Sequence, residues 1–403
     1  MIEIKDPKDC CGCWACENAC PRQCISMEED CEGFRYPHIN QTSCIDCHLC
    51  EKVCPILNKV EEPIKNQKAF VVQNKDEEVL KESTSGGAFS AIANYVISKN
   101  GIVFGAAFDN NETVRHQYVD NYEDLRLFRN SKYVQSLIGN TYKEAKRFLD
   151  EGKLVLFSGT PCQLEGLFFF LRNKQYENLI TIDVVCRAVP SPLVLRKYLE
   201  MQKEKMGTEF TTIKFRDKHH GYKYSSLSLW GKNNKEYHEG IDTDPYLRAF
   251  FSSTSMRPSC TQCKFRSRYR KTDITMWDCF DVENYAKKLD NDKGATRLLI
   301  HTKKGIEILN NIKDNLLEIE IDTEKAIKGV KEMVDSVKMN PNRNDFFKDI
   351  NCMDPKECFN KYYPNTIRHR IEKQARLWSN RLGLYKIAKK TVKALIGNKE
   401  IKR

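Results

Sequence analysis

The chain has 403 residues, a formal net charge of +11 and 18 cysteines. It contains no run of about 18 apolar residues, which argues against a membrane-spanning helix, and no signal peptide opens it. We therefore expect a cytoplasmic protein whose thiols stay reduced and available to metal. The length exceeds that of a usual single domain, so a small module and a substantial body are expected.

Two copies of one cysteine pattern come first in the chain. Each copy is a C-x2-C-x2-C-x3-C-P run, which holds cubane iron–sulfur clusters and in which the fourth cysteine ligates the other cluster. The cysteines are Cys10, Cys13, Cys16 and Cys20, followed by Pro21, and Cys44, Cys47, Cys50 and Cys54, followed by Pro55. Pairs of the C-x2-C type also build structural zinc sites, which is the competing interpretation. The repeated runs ending in Cys-Pro favour two [4Fe–4S] clusters in a small bacterial-type ferredoxin domain.

A mixed α/β body is predicted after a polar linker from Asn58 to Lys68. Short apolar runs predict its strands, at Ala69–Gln73, Ile102–Phe108, Leu154–Phe157, Leu179–Val185 and Thr296–His301. After the first of these, Ser85, Gly86 and Gly87 open an apolar helical run. Such a loop either holds a phosphate on free backbone amides or simply caps and packs the helix.

Further cysteines follow the predicted strands of the body. Cys162 comes directly after one strand and before a helix, where the helix dipole stabilises a thiolate. Cys186 follows the next strand in the same way, so both cysteines are expected near the carboxyl ends of strands, where sites in such sheets usually lie. Cys260 and Cys263 form another C-x2-C pair.

The pattern changes beyond Met206. Tyr224–Trp230 alternates as a half-exposed strand would, and Lys313–Lys338 predicts one or two amphipathic helices. His219 and His220 are expected in an exposed loop, because a histidine needs a positioned partner to act and the sequence shows none.

Positive charge is concentrated at the end of the chain. Between Thr366 and Arg403 there are twelve Lys or Arg residues and two acidic ones, mixed with apolar residues. Such a segment can lie on an anionic membrane surface or on a partner, or remain a solvated terminal helix. We expect no nucleic-acid partner. The predicted domains are residues 1–60 for the ferredoxin domain, 61–175 and 176–340 for the two parts of the body, and 341–403 for a helical basic tail.

Several motifs together resemble a known family. They are the two-cluster run, Thr84-Ser85-Gly86-Gly87, Asn130-Ser131-Lys132-Tyr133-Val134-Gln135, Gly159-Thr160-Pro161-Cys162-Gln163, Cys186 with Pro190-Ser191, and Arg257-Pro258-Ser259-Cys260 with Cys263. From residue 1 to about residue 310 the chain resembles the beta subunit of coenzyme F420-reducing hydrogenase and formate dehydrogenase. The tail lies outside this resemblance.

The resemblance implies an iron–sulfur flavoprotein that binds FAD. It assigns Ser85, Gly86, Gly87, Ser131 and Lys132 to the flavin, and glycine amides and a lysine do suit a pyrophosphate and a reduced flavin. It also implies a third [4Fe–4S] cluster, on Cys162, Cys186, Cys260 and Cys263. From the residues alone, only the Cys260 and Cys263 pair has ligand spacing, and a zinc clip or free thiols remain open.

The sequence departs from the family's pattern at two places. Arg187 stands where many relatives have a histidine that could donate a proton, and Trp277 stands where relatives usually have a glycine. A tryptophan narrows any approach of the backbone to a flavin-like ring. The departures leave the substrate, including coenzyme F420 itself, undetermined.

The sequence therefore predicts an iron–sulfur flavoprotein oxidoreductase. Single electrons from a ferredoxin-like donor would pass through the clusters to FAD for the two-electron reduction of an organic acceptor. Bacterial relatives often occur with enzymes of surface polysaccharide synthesis, which suggests that setting. The alternative is an electron-transfer subunit of a larger oxidoreductase complex with no small-molecule substrate of its own.

Overall fold

The computed structural model describes residues 1–58, 66–109 and 112–382. These residues form two compact units, one of Met1–Pro192 with Arg257–Lys338 and one of Leu193–Met256 with the chain from Met339 onward. The domain border predicted at residue 340 lies near the border between the units at Lys338. The predicted division into domains stays a prediction. None of the described helices is long and apolar enough to cross a membrane.

The described chain is a mixed α/β protein with a helical C-terminal part. Its strands are β1 Ile25–Glu29, β2 Arg35–Ile39, β3 Lys68–Asn74, β4 Ile102–Phe108, β5 Val114–Val119, β6 Val155–Gly159, β7 Leu179–Val184, β8 Phe210–Asp217, β9 Ser226–Gly231, β10 Glu236–Glu239, β11 Ile274–Asp278, β12 Thr296–Ile300 and β13 Leu316–Ile321. Its α-helices are α1 Ala15–Ala19, α2 Leu49–Lys52, α3 Glu77–Glu82, α4 Ala88–Ser98, α5 Thr141–Asp150, α6 Pro161–Phe170, α7 Pro192–Met206, α8 Pro245–Phe251, α9 Lys303–Ile312, α10 Thr323–Ile327, α11 Lys331–Val334, α12 Arg343–Cys352, α13 Pro355–Tyr362 and α14 Ile367–Arg381.

The N-terminal module repeats one backbone turn. Trp14 (φ 66°) precedes α1, and His48 (φ 58°) precedes α2, so each cysteine loop enters its helix through a left-handed residue. The β1–β2 antiparallel pair lies between the two loops in sequence. The apolar core of the module is thin and consists largely of cysteines together with Ile2, Ile25 and Met27. Such a small core is stabilised effectively by bound metal.

The central sheet of the first unit has the strand order β13-β3-β12-β11-β7-β6-β4-β5. β4, β6, β7 and β11 pair in parallel, and β12 is antiparallel to both β11 and β3. β3 therefore points in the same direction as the four parallel strands. The carboxyl ends of all five strands lie along one edge, called here the carboxyl edge.

Each face of this sheet is covered. Ile92 of α4 and Leu309 of α9 pack with Val103 and Leu156 in one apolar cluster. Tyr142 of α5, α6 and the cysteine loops of the N-terminal module pack with the alternate strand residues in another. Neighbouring residues of a strand face opposite sides of the sheet. Because both sides are covered, these strands consist of the continuous apolar runs seen in the sequence.

The second unit contains the antiparallel sheet β10-β9-β8 with helices α7, α8 and α12 to α14. Its core is aromatic: the rings of Tyr198 and Tyr246 lie 5.2 Å apart, and Phe359 meets both Tyr198 and Phe346 edge to face. Aromatic pairs in these arrangements stabilise a core beyond the area that they bury.

Two predicted elements are wrong. Tyr224–Trp230 is not a half-exposed strand, because β9 is the central strand of its sheet and Ser228 and Leu229 are both fully buried. The Lys313–Lys338 region is not mainly helical, because β13 alternates with period two and pairs with β3 at the sheet edge before the short helices α10 and α11. Most of the predicted linker lies outside the described residues, as does the tail beyond Leu382.

Candidate functional site

The cysteines of the N-terminal module fall into two crossed groups. One pocket, of about 360 Å³ with its open mouth, is lined by Cys20 from the first run and by Cys44, Cys47 and Cys50 from the second. We call these four residues the outer group. Cys24 also lines this pocket, with its Sγ 3.4 Å from that of Cys20. The fourth cysteine of the first run thus lies with the second run, as the crossed pattern requires.

The other four cysteines form the inner group, Cys10, Cys13, Cys16 and Cys54. Burial raises the pKa of Cys16, and the neighbouring thiols of Cys13, Cys10 and Cys54 raise it further. Burial likewise raises the pKa of Cys54 to about 11, with Cys13 as the next contribution. Thiols that titrate against one another in this way are close enough to share a ligand-binding space, and a bound metal would keep them deprotonated.

The cysteines of the body converge on a second pocket. It is lined by Cys162 in the first turn of α6, by Cys186 just after β7, and by Cys260 and Cys263 around the 3-10 turn Pro258–Gln262. We call these four residues the body group. The pocket has a volume of about 530 Å³ with its open mouth and lies at the carboxyl edge of the sheet. Segments that are distant in the sequence, from Cys162 to Cys263, thereby place four thiols around one space.

Cys11 joins the inner group to the body group. It lines the body pocket, and its thiol hydrogen-bonds with both Cys13 and Cys162. The hydrogen bond from Cys11 is the main cause that lowers the pKa of Cys162 to about 7, and the Thr160 hydroxyl, 3.2 Å from its sulfur, adds to the effect. No role for Cys11 follows from its spacing, and its only signal in the sequence is its place next to Cys10.

Arg257 ties the N-terminal module to the body. Its side chain is fully buried, and its Nε donates to the carbonyl of Cys10 at 2.8 Å while Nη2 donates to that of Arg35 at 3.0 Å. Nη1 donates to Oε1 of Gln135 at 2.9 Å, and Gln135 Nε2 donates to the carbonyl of Cys11 at 3.1 Å. The guanidinium also lies 4.3 Å from the ring centre of Tyr36. In the sequence, Arg257 stands out only as part of a motif.

Arg266 closes the rim of the body pocket. Its Nη1 donates to the carbonyl of Cys186 at 2.6 Å, and further donations reach the carbonyls of Arg187 and Glu332. The same guanidinium helps to lower the pKa of Cys263, which burial raises. Arg187, the first departure from the family pattern, makes an ion pair with Glu332 at 3.2 Å. These cations are well placed to favour thiolates around the pocket.

The candidate flavin residues also lie at the carboxyl edge. Ser85 Oγ is 2.8 Å from Thr296 Oγ1 at the start of β12, and the Gly86 amide donates to the same hydroxyl at 2.8 Å. Ser131 donates its amide to Thr84 Oγ1 at 2.7 Å, so the two candidate segments meet. The Ser85 loop follows β3, and Cys186 follows β7. These two strands are three strand spacings apart in the sheet, which is roughly 14 Å.

The fit of this loop to a flavin phosphate is uneven. A Cβ on Gly86 would lie 2.4 Å from the carbonyl oxygen of Val72, so packing alone explains this glycine. The Lys132 ammonium donates to the carbonyls of Leu127 and Arg129, and burial lowers its pKa to about 7. By contrast, Gly87 (φ 73°) begins α4 without a side-chain cap, which leaves the first-turn amides available for an anion.

Comparison with known proteins places this geometry in a family. Residues 152–325 match the model that describes the C terminus of the beta subunit of coenzyme F420 hydrogenase/dehydrogenase. Over these residues, which are fewer than half of the 403 in the chain, the sequence is similar to that family. Residues 9–57 match the 4Fe-4S dicluster domain, so the chain carries iron–sulfur clusters at its N-terminus and is related to oxidoreductase subunits.

A chain of the F420-reducing [NiFe] hydrogenase complex from Methanosarcina barkeri, solved as a xenon derivative, aligns with 75% of this chain and 92% of its own. The alignment has 16% identity and a TM-score of 0.45. No curated protein matches the chain.

Trp277, the second departure from the family pattern, packs against the core of the first unit. Trp277 lies on β11 and packs, with Val185, against an apolar cluster that contains Leu299 and Met333. Its indole nitrogen has no hydrogen-bond partner there. In this chain the half-buried tryptophan therefore packs against the core beneath the carboxyl edge.

Proposed function

We propose that this protein is an iron–sulfur flavoprotein oxidoreductase that takes single electrons from a ferredoxin-like donor and reduces an organic acceptor by two electrons. The observation that carries the proposal is the presence of three cysteine groups, two in the N-terminal module and one at the carboxyl edge of the sheet. The outer group, the inner group and the body group follow one another, and Cys11 contacts both Cys13 and Cys162 where the last two meet. A surface polysaccharide setting for the acceptor rests on the resemblance alone.

Each cysteine group has the number of thiols that a cubane cluster needs. We assign one [4Fe–4S] cluster to the outer group, one to the inner group and a third to the body group. When bound, these clusters would hold and pass single electrons. Side chains of the protein itself hold the groups in place. Arg257 fixes the Cys10 loop to the body, and Arg266 donates to the backbone carbonyls of Cys186 and Arg187.

FAD is assigned to the first turn of α4 and the Ser131 segment. The uncapped amides of α4 suit its pyrophosphate, and Ser85, Gly87 and Ser131 line the approach, whereas Gly86 and Lys132 act mainly through packing and backbone hydrogen bonds. When bound, FAD would exchange single electrons with the clusters and electron pairs with the acceptor. The burial of α4 against the sheet would keep this turn rigid.

Iron counting tests the third cluster. Anaerobically purified protein should hold about twelve iron atoms and as many sulfides per chain, and the double variant Cys260→Ser, Cys263→Ser should hold about eight. Cys279→Ser is the control, because Cys279 is a buried cysteine that packs beside Val71 and Val282, outside the body group. About eight iron atoms in all three proteins would reject a cluster on the body group. Zinc that is present in the wild type and lost in the double variant would then support a zinc clip.

A pair of variants tests the flavin seat. Ser131→Asp and Ser131→Asn change the same half-buried position by nearly the same volume, but only the aspartate brings a negative charge towards the proposed pyrophosphate. We expect about one FAD per chain in the wild type and in the asparagine variant, and at least about tenfold weaker binding in the aspartate variant. A protein with full iron and no extractable flavin would reject the flavoprotein.

The second candidate function is an electron-transfer subunit with no small-molecule substrate. The ion-paired Arg187 and the half-buried Trp277, which are the two departures from the family's sequence pattern, favour it. Turnover of an acceptor by the isolated chain would exclude this candidate. A stable complex that is active only when assembled would establish it.

We further propose that the basic tail contacts an anionic membrane surface. Ile367, Ile371 and Trp378 recur at helical spacing on one side of α14 and are 74%, 64% and 59% exposed. The other side is held to the second unit by Lys373 on Glu239 and Arg376 on Asp242. Seven Lys or Arg residues and one Glu follow in residues 383–403. An exposed apolar stripe beside clustered cations suits anionic lipid.

A further inference from the structure

A cluster of metal-ligand side chains lies in the second unit, whereas the cysteine groups lie in the first. Asp217 ends β8, His219 follows in the next turn, and His238 lies in β10. One ligand atom of each residue lies within 4.8 Å of the others. The rings of His219 and His238 stack with their centres 3.7 Å apart. His219 lies in an exposed loop, as predicted from the sequence. The sequence does not show its partner His238, which β10 brings next to it.

The hydrogen bonds of this cluster have one donor too few when His238 is neutral. His238 Nε2 lies 2.9 Å from Glu236 Oε2, and an ionised carboxylate can only accept, so Nε2 carries the proton. The other nitrogen, Nδ1, then accepts, and it faces Ser228 Oγ at 2.7 Å. The same hydroxyl lies 3.1 Å from Asp217 Oδ2. One hydroxyl proton therefore faces two acceptors.

The surroundings of His238 match those of a metal ligand. A ligating histidine usually donates its second ring nitrogen to a carboxylate, which fixes the tautomer and aims the free nitrogen at the metal. Glu236 does this for His238, with Nδ1 turned towards Asp217 at 4.0 Å. Two histidines and a carboxylate are a common donor set for Zn²⁺ and other first-row divalent ions.

We propose that Asp217, His219 and His238 bind one divalent transition-metal ion, with Glu236 orienting His238. Ligand atoms around zinc lie roughly 3.4 Å apart, for bonds of about 2.1 Å, so the present spacing needs a closing of about an ångström. His219 is exposed and free to make that change by side-chain rotation. The ion's two positive charges balance the carboxylates of Asp217 and Glu236. The exposed side at His219 leaves a coordination position for water or a small anion.

Zinc binding to the full-length, cluster-loaded protein tests the proposal. Equilibrium dialysis with Zn²⁺ under anaerobic conditions should find about one site per chain in the wild type, and His219→Ala should lose it without unfolding, because that side chain is exposed. His38→Ala is the matched control, since His38 is also exposed and paired with a glutamate, Glu28, in the other unit. This control should bind zinc as the wild type does.

A second variant separates a ligand site from a merely structural cluster. Glu236→Gln keeps the shape of the side chain and should weaken zinc binding by about ten- to a hundredfold, because it removes the carboxylate that orients His238. Zinc should also raise the melting temperature of the wild type and not that of His219→Ala. Equal zinc binding in the wild type, His219→Ala and Glu236→Gln would overturn the proposal, as would the absence of a saturable site in the wild type.

Discussion

Replacing Arg257 should loosen the N-terminal module from the body. The guanidinium is fully buried and donates to the carbonyls of Cys10 and Arg35 and to Oε1 of Gln135. In Arg257→Ala these three acceptors lose their donor inside the protein. In Arg257→Lys the charge remains, but a single ammonium cannot span three acceptors that lie in different directions.

The expected loss follows from these contacts. Hydrogen bonds to charged groups contribute about 1.5–3 kcal/mol each, so three of them at the lower value contribute about 4–5 kcal/mol. The cation over the ring of Tyr36 adds at most about 2 kcal/mol. We expect Arg257→Ala to lower the free energy of unfolding by about 4 kcal/mol, which for a unit of this size is roughly 8 °C in Tm. Arg257→Lys should lose about half of that.

The assay is anaerobic thermal unfolding combined with iron content. Because Arg257 holds the Cys10 loop, Arg257→Ala should also lose iron first from the inner group, leaving the outer group filled. Arg115→Ala is the control, since Arg115 is half exposed and makes a surface pair with Asp109, for which a loss below about 1 kcal/mol is expected. An Arg257→Ala protein that melts with the wild type and keeps its iron would refute the reasoning.

Three other substitutions have defined outcomes. In Gly166→Ala the new Cβ would lie 2.8 Å from the Cβ of Cys13, so the variant should lose about four iron atoms per chain, and unchanged iron would contradict this contact. Burial raises the pKa of Asp244 to about 6 from 3.8, so its contribution to stability is greatest below about pH 4 and is lost, by about 3 kcal/mol, as the pH rises to 6. Amide hydrogen exchange of α8, corrected for the intrinsic pH dependence of exchange, should show this loss of stability in the wild type and not in Asp244→Asn. The same pH dependence in both proteins would disprove the prediction. The double variant Ile371→Asp, Trp378→Asp should fail to bind phosphatidylserine vesicles, whereas Lys303→Glu, with the same change in net charge on an exposed residue outside α14, should bind as the wild type does. Equal flotation of both would remove the membrane proposal.

The strands and the cysteine runs could be predicted because their signals are local. The predicted strand at Ile102–Phe108 has the bounds that the structure gives, since an apolar run between a glycine and a polar turn is visible in the chain itself. β13 was missed because its alternating residues also suit an amphipathic helix, and only pairing with β3 decides between the two. β9 was misjudged for a related reason: burial on both faces comes from neighbours distant in sequence.

The candidate site was predictable in part for the same reason. Cluster cysteines two and three residues apart can be recognised without a fold, because the loop itself aims the thiolates. Gly86 and Lys132 show the opposite case. Their chemistry suits a flavin phosphate, but the structure gives Gly86 a tight contact with Val72 and gives Lys132 two backbone carbonyls, which no spacing could reveal.

The amino-acid sequence by itself determined the iron–sulfur module, the α/β character of the body and the basic tail, because metal-ligand spacing, apolar periodicity and charge are local properties. The tertiary structure alone brought Cys11 beside Cys162, buried Arg257 against the Cys10 loop and set His238 over His219. Each of these contacts joins residues of different strands or loops, so it exists only after the chain has folded and the cost in entropy of closing those loops has been met.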